Sequence, residues 1–308
     1  MTRDIRIGIV GFGKIARDQH VQAIARTPGV ELVAIASRNA TLDGVANHRD
    51  IDALLAAGNL DALALCQPPQ ARFDAAVAAL RAGKHVFLEK PPGATVSEVD
   101  ALSRLAAQNG VTLFASWHSR FAAGVASAKA WLAERQIERV TINWKEDVRH
   151  WHPGQEWIWA PGGFGVFDPG INALSIVTEI VPEPLRLLEA ELETPSNRHA
   201  PIAARLQMAT LSGAQVSALF DFRQTGPQSW DIEVETDKGR LVLGHGGNRL
   251  SIGGVDQALE VEREYAGLYA RFVELVRTGR SDVDTAPLQI VADAFLRGRT
   301  CPTDPFES

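Results

Sequence analysis

The spacing of the first apolar runs constrains this chain more than any other feature. Residues 5–10, 30–37, 60–66, 86–88 and 111–115 are short and apolar, and helix-forming stretches lie between them, up to about residue 27 and over 70–82 and 97–108. Strands that are apolar on both faces and alternate with helices predict a doubly wound parallel sheet. The segment 39–50 is too short and broken for a full helix, so an abbreviated connection is expected there. Beyond residue 120 the pattern changes. A helix over 121–135 leads into strand-like runs at 137–148, 185–193, 202–210, 215–222, 229–236 and 240–243, with turns at Leu211-Ser212-Gly213 and Asp237-Lys238-Gly239. Successive strands with short turns predict an antiparallel meander. Helices over 264–278 and 287–297 close the chain. The expected fold is therefore α/β, with a parallel-sheet domain over 1–119 and an α+β domain on a mostly antiparallel open sheet over 120–308. Packing of the C-terminal helices back on the first domain is the alternative for that last stretch.

Composition excludes several partner classes. A chain of 308 residues with 45% hydrophobic and 22% charged residues has material for about two globular domains. A net charge of -6 without a basic run argues against nucleic acid. Cys66 and Cys301 stand far apart and without metal-ligand spacing, which suits a reducing cytoplasm and no disulfide framework. The opening residues pass directly into a strand and turn, so no signal peptide is expected. No apolar run reaches the ~18 residues of a membrane span.

The first strand runs into Gly11-Phe12-Gly13-Lys14-Ile15-Ala16, the strand-turn-helix fingerprint of dinucleotide sites. Gly11 allows the tight turn, Gly13 lets the backbone approach a pyrophosphate, and Ala16 lets helix and strand pack closely. The phosphates would rest on the free N–H groups at the helix start. An NAD site wants a carboxylate at the carboxyl end of the second strand. Glu31 is at the other end, and the carboxyl end reads Ser37-Arg38, a hydroxyl and a guanidinium suited to a 2′-phosphate. NADP is therefore the expected cofactor, with NAD the weaker alternative. Lys14, Ile15, Gln67 and Pro68 complete the expected cofactor contacts of the first two turns. The strand 86–88 ends in Glu89-Lys90-Pro91-Pro92, where prolines forbid continuation. Lys90 is either a solvated strand end or a group presented where open α/β sheets bind ligands, and Glu89 and Lys90 are counted with the cofactor contacts.

In the second domain, alternation puts Val140, Ile142 and Trp144 on one strand face, and Glu146 falls on that apolar side. A carboxylate there is either paired with a cation at an edge or presented to a pocket. The next segment packs three tryptophans, two histidines and four glycines between His150 and Asp168. Asp168 before Pro169 reads as an N-cap, with Asn172 one helical turn on and facing the same side. His150 and His152 lack a third ligand at metal spacing, so no metal is expected. Trp151 and Trp230 could offer flat apolar faces to a ligand while Glu146, His152 and His118 offer it hydrogen bonds. For Trp230, core packing beside Ile232 and Val234 is the competing role.

Three ordered motifs carry a resemblance over essentially the whole chain. Gly11-x-Gly13-x-x-Ala16, then Gly83-Lys84-His85-Val86-x-x-Glu89-Lys90-Pro91, then Trp157-x-Trp159 with Gly162-Gly163 and Asp168-x-Gly170-x-Asn172 resemble the glucose-fructose oxidoreductase and inositol dehydrogenase (Gfo/Idh/MocA) family, whose first domain is a Rossmann fold. Within it, Ser37-Arg38, Glu89-Lys90-Pro91-Pro92-Gly93, Trp144 to Arg149 and Trp151 to Gly154 resemble NADP-dependent aldose 1-dehydrogenases acting on L-arabinose and D-galactose. The resemblance implies that Lys90 lies beside the nicotinamide, that a cis bond precedes Pro91, and that the open second sheet mediates a homodimer or homotetramer. Many members carry histidine where this chain has Asn172, and that histidine is often taken as the general base. Asparagine cannot titrate, so Lys90 and Asp168 are the expected proton-handling groups, with Asn172 orienting the anomeric oxygen. The alternatives are a dehydrogenase of another polyol or inositol and a catalytically silent NADP-binding regulator.

Overall fold

The computed structural model describes residues 3–261 and 263–307. The chain forms two compact units, Met1–His118 with Arg263–Thr285, and Ser119–Glu262 with Ala286–Ser308.

In the first unit β1 (Ile5–Val10), β2 (Val30–Ala36), β3 (Ala46–His48), β4 (Ala62–Leu65), β5 (His85–Leu88) and β6 (Leu113–Ala115) form a six-stranded sheet in the order β3-β2-β1-β4-β5-β6. Every pairing is parallel. Ile7, Ile9, Leu63, Leu65, Val86, Phe87 and Leu88 are fully buried, as strands covered on both faces must be. A π-helical turn, Ala16–His20, runs into α1 (Val21–Arg26), and α2 (Ile51–Ala57), α3 (Phe73–Arg81) and α4 (Val96–Gln108) follow. The short connection after β2 carries the edge strand β3 in place of a helix. The strand order reverses between β1 and β4, and in open α/β sheets ligands bind outside the carboxyl ends at that reversal. A capping box starts α4 directly after the Pro91-Pro92-Gly93 turn. Thr95 Oγ1 accepts from Glu98 N at 3.2 Å, and Glu98 Oε2 accepts from Ala94 N and Thr95 N at 3.0 and 3.3 Å. The segment holding Lys90 is thereby fixed on its far side.

The second unit holds α5 (Val125–Leu132), β7 (Ile137–Lys145), α6 (Val148–Trp151), α7 (Phe167–Ile180), β8 (Arg186–Pro195), β9 (Ala203–Ala209), β10 (Gln215–Asp221), β11 (Ser229–Thr236), β12 (Gly239–Gly244), β13 (Arg249–Ile252) and β14 (Val255–Asp256). Helix α5 starts later than the sequence pattern suggests, because Gly124 N bonds to Gly247 O at 2.8 Å and an added Cβ there would meet that oxygen at 2.9 Å. β7 ends at Lys145 because Asp147 caps α6, accepting from Arg149 N at 3.0 Å. After β14 the two last helices separate. α8 (Glu264–Thr278) belongs to the first unit, and α9 (Ala286–Arg297) with β15 (Arg299–Thr303) to the second. Packing explains the division. Tyr269 of α8 stacks on Phe87 with centroids 5.0 Å apart, and Phe272 meets Phe87 and Phe114, whereas Phe295 of α9 packs on Phe167 of α7 at 5.4 Å.

The nine strands are ordered β14-β13-β12-β11-β7-β10-β9-β8-β15. The sheet is mostly antiparallel, but β7 with β10 and β8 with β15 are parallel, a departure from a pure meander. For the first pair the cause is the long crossover through α7, β8 and β9, which returns β10 beside β7, and β15 returns beside β8 after α9. Register aligns Val140, Ile142 and Trp144 with Val216, Ala218 and Phe220, and with Val234, Ile232 and Trp230. These residues share the covered face, so Glu146, next in alternation, reaches it too.

Entry into α7 depends on one glycine. Gly165 has φ +53°, donates its N–H to Ile158 O at 2.9 Å, and would place a Cβ 2.2 Å from Pro201 O. Gly165→Ala is expected to destabilise the protein by more than about 1 kcal/mol, since both the backbone conformation and the space refuse a side chain. Thermal unfolding checks this: the midpoint should fall by a few degrees, and an unchanged midpoint would refute the assignment.

Candidate functional site

Two constellations emerge, one in each unit. At the carboxyl edge of the first sheet, Gly11 has φ +88°, donates its N–H to Ala36 O at 3.0 Å, and would place a Cβ 2.8 Å from Gln67 N. Only glycine fits that turn. Gly13 is the opposite case: an added Cβ would meet nothing within 4 Å, which leaves its backbone open to a ligand. The first bond of the helical turn runs from Arg17 N to Gly13 O at 3.2 Å, so the N–H groups of the residues before it lack helical acceptors. Gln67 adds a buried side-chain oxygen with no hydrogen-bond partner. Open glycine backbone, free N–H groups and an orphaned acceptor at one turn fit a dinucleotide. Lys14 is exposed and pairs with Asp18, Ile15 is 39% exposed, and Pro68 is exposed beside Gln67. Ser37 N bonds to His48 O at 2.9 Å just past β2, and Arg38 is exposed with no carboxylate partner among the described residues.

Lys90 is half-buried, and its bond to Pro91 is cis. The backbone around it is clamped by Arg72, which is 2% exposed and donates to the carbonyl oxygens of Glu89, Pro91 and Gln67. Glu89 is 3% exposed, and its carboxylate is engaged inside the protein. Oε1 accepts from Tyr265 OH at 2.7 Å and lies 3.3 Å from His20 Nε2, while His20 Nδ1 lies 2.7 Å from Tyr269 OH. Burial pulls the His20 pKa down, but Cys66, with Sγ 3.6 Å away, and Glu89 outweigh it and raise it to about 10. Burial likewise pushes Glu89 up, and the hydrogen bond and charge of His20, with His118 and Lys90, hold it down to about 2. Burial and the Glu89 charge push Tyr265 up, so its phenol remains a donor. His118 belongs to this network: Nδ1 lies 2.5 Å from Glu264 Oε2, and its ring stacks on Tyr265 at 5.3 Å.

In the second unit Glu146 is 2% exposed. Its Oε2 accepts from Trp230 Nε1 at 2.8 Å, and its Oε1 lies 2.9 Å from His152 Nε2. His152 Nδ1 lies 3.6 Å from Asp168 Oδ2. Trp230 stacks on Trp144 with centroids 5.8 Å apart and leans on Trp151 at 4.9 Å. Trp151, 38% exposed, offers the open surface of this aromatic group. Asp168 is not the N-cap that its place before Pro169 suggests. α7 starts at Phe167 with Val166 as its cap and no side-chain capping bond. The Gly165 turn brings the chain into helical geometry before Asp168, whose buried carboxylate lies near His152. Asn172 is half-buried one turn on. His150 packs edge-on against Trp151 at 5.0 Å. Among the described residues no group of three or more His, Cys, Asp or Glu could hold a metal ion.

Glu146, Trp151, His152, Asp168 and Trp230 thus form one connected cluster, with Asn172 along the same helix, while Lys90 and His118 lie in the first unit. Sequence reasoning missed Arg72, His20, Tyr265 and Tyr269. Spacing carried a signal for three of them: His20 lies between buried Ala16 and Ile24 at helical intervals, and Tyr265, Tyr269 and Phe272 make a buried stripe. Arg72 had none.

The two shifts set a pH window. The raised His20 pKa contributes stability that is complete below 6.5 and is lost as pH rises toward about 10, and the lowered Glu89 pKa contributes stability that is complete above 4.5 and is lost toward about 2. Glu89→Gln should therefore destabilise the protein most between pH 4.5 and 6.5, by about 3 kcal/mol or more for a broken buried pair. Thermal unfolding across pH reads this directly, and a difference from the unmodified protein that is flat with pH would refute it.

Comparison with known proteins agrees with the architecture. Residues 5–116 match the Gfo/Idh/MocA model, described as an oxidoreductase family with an NAD-binding Rossmann fold. The chain is 46% identical over 303 residues to galactose 1-dehydrogenase of Pseudomonas fluorescens, covering 98% of each chain. The crystal structure of D-galactose-1-dehydrogenase from Rhizobium etli is 55% identical and superposes with a TM-score of 0.96, over 100% of this chain and 99% of that one. KijD10, a 3-ketoreductase from Actinomadura kijaniata, shares the fold at 19% identity, with a TM-score of 0.85 over 98% of this chain and 100% of its own. With 46% identity to a relative over 98% of its length and a family match over the parallel-sheet unit, the chain belongs to the Gfo/Idh/MocA oxidoreductase family.

Proposed function

We propose that this protein is an aldose 1-dehydrogenase that oxidises a non-phosphorylated aldopyranose, D-galactose or L-arabinose, at C1 with NADP and yields the aldonolactone. The observation that carries this reading is the 46% identity over 98% of the chain to a galactose 1-dehydrogenase. The chemistry of the second unit supports it: buried carboxylates beside exposed tryptophan suit a ligand with hydroxyl edges and C–H faces. L-Arabinopyranose is D-galactopyranose without the exocyclic CH2OH. A difference of that size changes discrimination by only ~1 to 3 kcal/mol, so one site serves both.

The first unit carries the dinucleotide and Lys90, and the second carries the sugar-holding residues. The nicotinamide, when bound, supplies the acceptor for the hydride that leaves C1. Gly11, Gly13, Lys14, Ile15, Gln67 and Pro68 hold the dinucleotide through the turn at the sheet reversal, and Ser37 with Arg38 bind the 2′-phosphate. Glu89 acts from behind by fixing Lys90. Asp168 takes the proton of the C1 hydroxyl, Lys90 is the rival acceptor, and Asn172 orients the oxygen by hydrogen bonding. Trp151 and Trp230 pack on the sugar while Glu146, His152 and His118 serve its hydroxyls. The half of the second sheet's surface that carries Thr141, Asn143 and Lys145 is the self-association face.

NADPH formation over a panel of aldoses and inositols tests the reaction. Turnover with D-galactose or L-arabinose is expected; turnover only with inositols, or none, would overturn it. Lys90→Met and Asp168→Asn should each lower kcat by roughly a hundredfold or more, with different pH profiles, and near-normal turnover in either removes that residue from proton handling. Arg38→Ala should lower kcat/KM with NADP on the order of tenfold to a hundredfold, the worth of a charge-assisted bond, and leave NAD little changed. Equal losses with both cofactors would contradict the 2′-phosphate assignment.

A further inference from the structure

In the first unit the carboxyl ends of β4 and β5 are joined by a side chain as well as by the sheet. The pairing of the two strands ends with Leu65 and Leu88, and just past it Cys66 N bonds to Val10 O at 2.8 Å and Glu89 N to Leu65 O at 3.2 Å. The carbonyl oxygens of Gln67, Glu89 and Pro91 lie there too, and Arg72 takes all three: Nη2 donates to Gln67 O, and Nη1 to Glu89 O and Pro91 O. Arg72 is 2% exposed and stands at the start of α3, where its N–H bonds to Pro69 O at 3.2 Å and its carbonyl oxygen accepts from Ala76 N at 2.9 Å. A planar guanidinium presents its donors in a fixed fork and can span two strand ends, whereas an ammonium offers them from a single point. The ends that it joins differ in what they carry. Gln67 is pressed against the glycine turn, since a Cβ on Gly11 would lie 2.8 Å from Gln67 N and 2.9 Å from its Cγ, and it holds the buried Oε1 with no hydrogen-bond partner. Glu89 and Pro91 flank Lys90.

We propose that Arg72 is a positioning residue that fixes the spacing between the dinucleotide turn and Lys90, so that one buried side chain sets both how the dinucleotide is held and where the lysine stands. The inference rests on the reading of Lys90 as a group that handles the C1 hydroxyl proton. Arg72 acts through the backbone. Its bonds to the carbonyls on both sides of Lys90 fix the direction in which that side chain leaves the chain, and its bond to Gln67 O holds the turn against Gly11. The surroundings are secured by other means: the capping box of Thr95 and Glu98 starts α4, and the Glu89 carboxylate is held by Tyr265 and His20. Loss of the guanidinium therefore releases the stretch from Glu89 to Pro91 and the Gln67 turn while the helix start and the buried acid keep their partners. Displacing a reacting group by about 1 Å costs on the order of a hundredfold in rate, so a residue that takes no part in the proton transfer has a large effect on it.

The test is a double-mutant cycle of Arg72→Lys and Lys90→Met in the full-length protein. It has two readouts, kcat for NADPH formation from D-galactose and the NADPH dissociation constant from fluorescence titration without sugar, both taken below the thermal midpoint of every variant. Arg72→Lys should lower kcat roughly tenfold to a hundredfold and raise the dissociation constant roughly threefold to tenfold, the worth of about one hydrogen bond. In the Lys90→Met background the same change should lower kcat less than about threefold, since no lysine is left to misplace, while its effect on NADPH binding persists. Arg72→Gln, which keeps two N–H donors without the fork, carries the cycle if Arg72→Lys does not fold. A lowered thermal midpoint with kcat and the dissociation constant unmoved would make Arg72 a structural residue only and overturn the proposal, and so would an equal loss of kcat in both backgrounds. Near-normal turnover in Lys90→Met alone would instead remove Lys90 from proton handling. That failure belongs to the reading beneath the proposal, and the NADPH titration of Arg72→Lys still decides whether Arg72 holds the turn.

Discussion

Glu89, a carboxylate with no access to water, fixes the edge of the first unit. Removing such a group from solvent costs several kcal/mol, and it remains ionised only because charge and hydrogen bonds return to it. His20 comes from the first helical turns, Tyr265 from α8, and Arg72 binds the backbone on both sides of the strand end. The carboxyl end of β5 is therefore complete only after the chain has built the second unit and come back with α8. The position of Lys90 is a consequence of that closure. Its neighbours on either side are held by Arg72, and the following helix is started by the Thr95 and Glu98 capping box.

The second unit repeats the same device in a different fold. Glu146 follows β7 as Glu89 follows β5, and each is buried with a histidine and an aromatic donor, Tyr265 O–H in one and Trp230 N–H in the other. The difference lies in the second nitrogen of the imidazole. His20 gives it to Tyr269, which closes the network within the core. His152 turns it toward Asp168 and keeps part of its surface exposed. One arrangement closes within the core of the first unit, and the other faces the polar cluster of the second.

How much of this was legible in the sequence follows from the range of each signal. The parallel sheet, the Gly11 to Ala16 turn and α8 were legible because strand periodicity, the glycine fingerprint and helical spacing are local. Glu146 was legible as an anomaly, since alternation placed a carboxylate on an apolar face, but its partners are set by tertiary packing. β13, β14 and β15 were not read, being short or edge strands with weak patterns. The parallel pairing of β7 with β10 was hidden for a related reason: it depends on where a long crossover returns. Asp168 was misread as a cap because the decisive contact, that of Gly165 with Pro201, joins residues far apart in sequence.

On α7 the level one turn beyond Asp168 is occupied by Asn172, an amide that carries no titratable proton. The imidazole that lies near Asp168 comes from residue 152, on a separate element, and is held there by Glu146 at the end of β7. An imidazole anchored to a strand is fixed independently of the helix that carries the carboxylate. Its distance from Asp168 therefore depends on how α7 enters the unit, and that entry is fixed by Gly165. A backbone turn with no functional group of its own thus sets the spacing of Asp168 and His152.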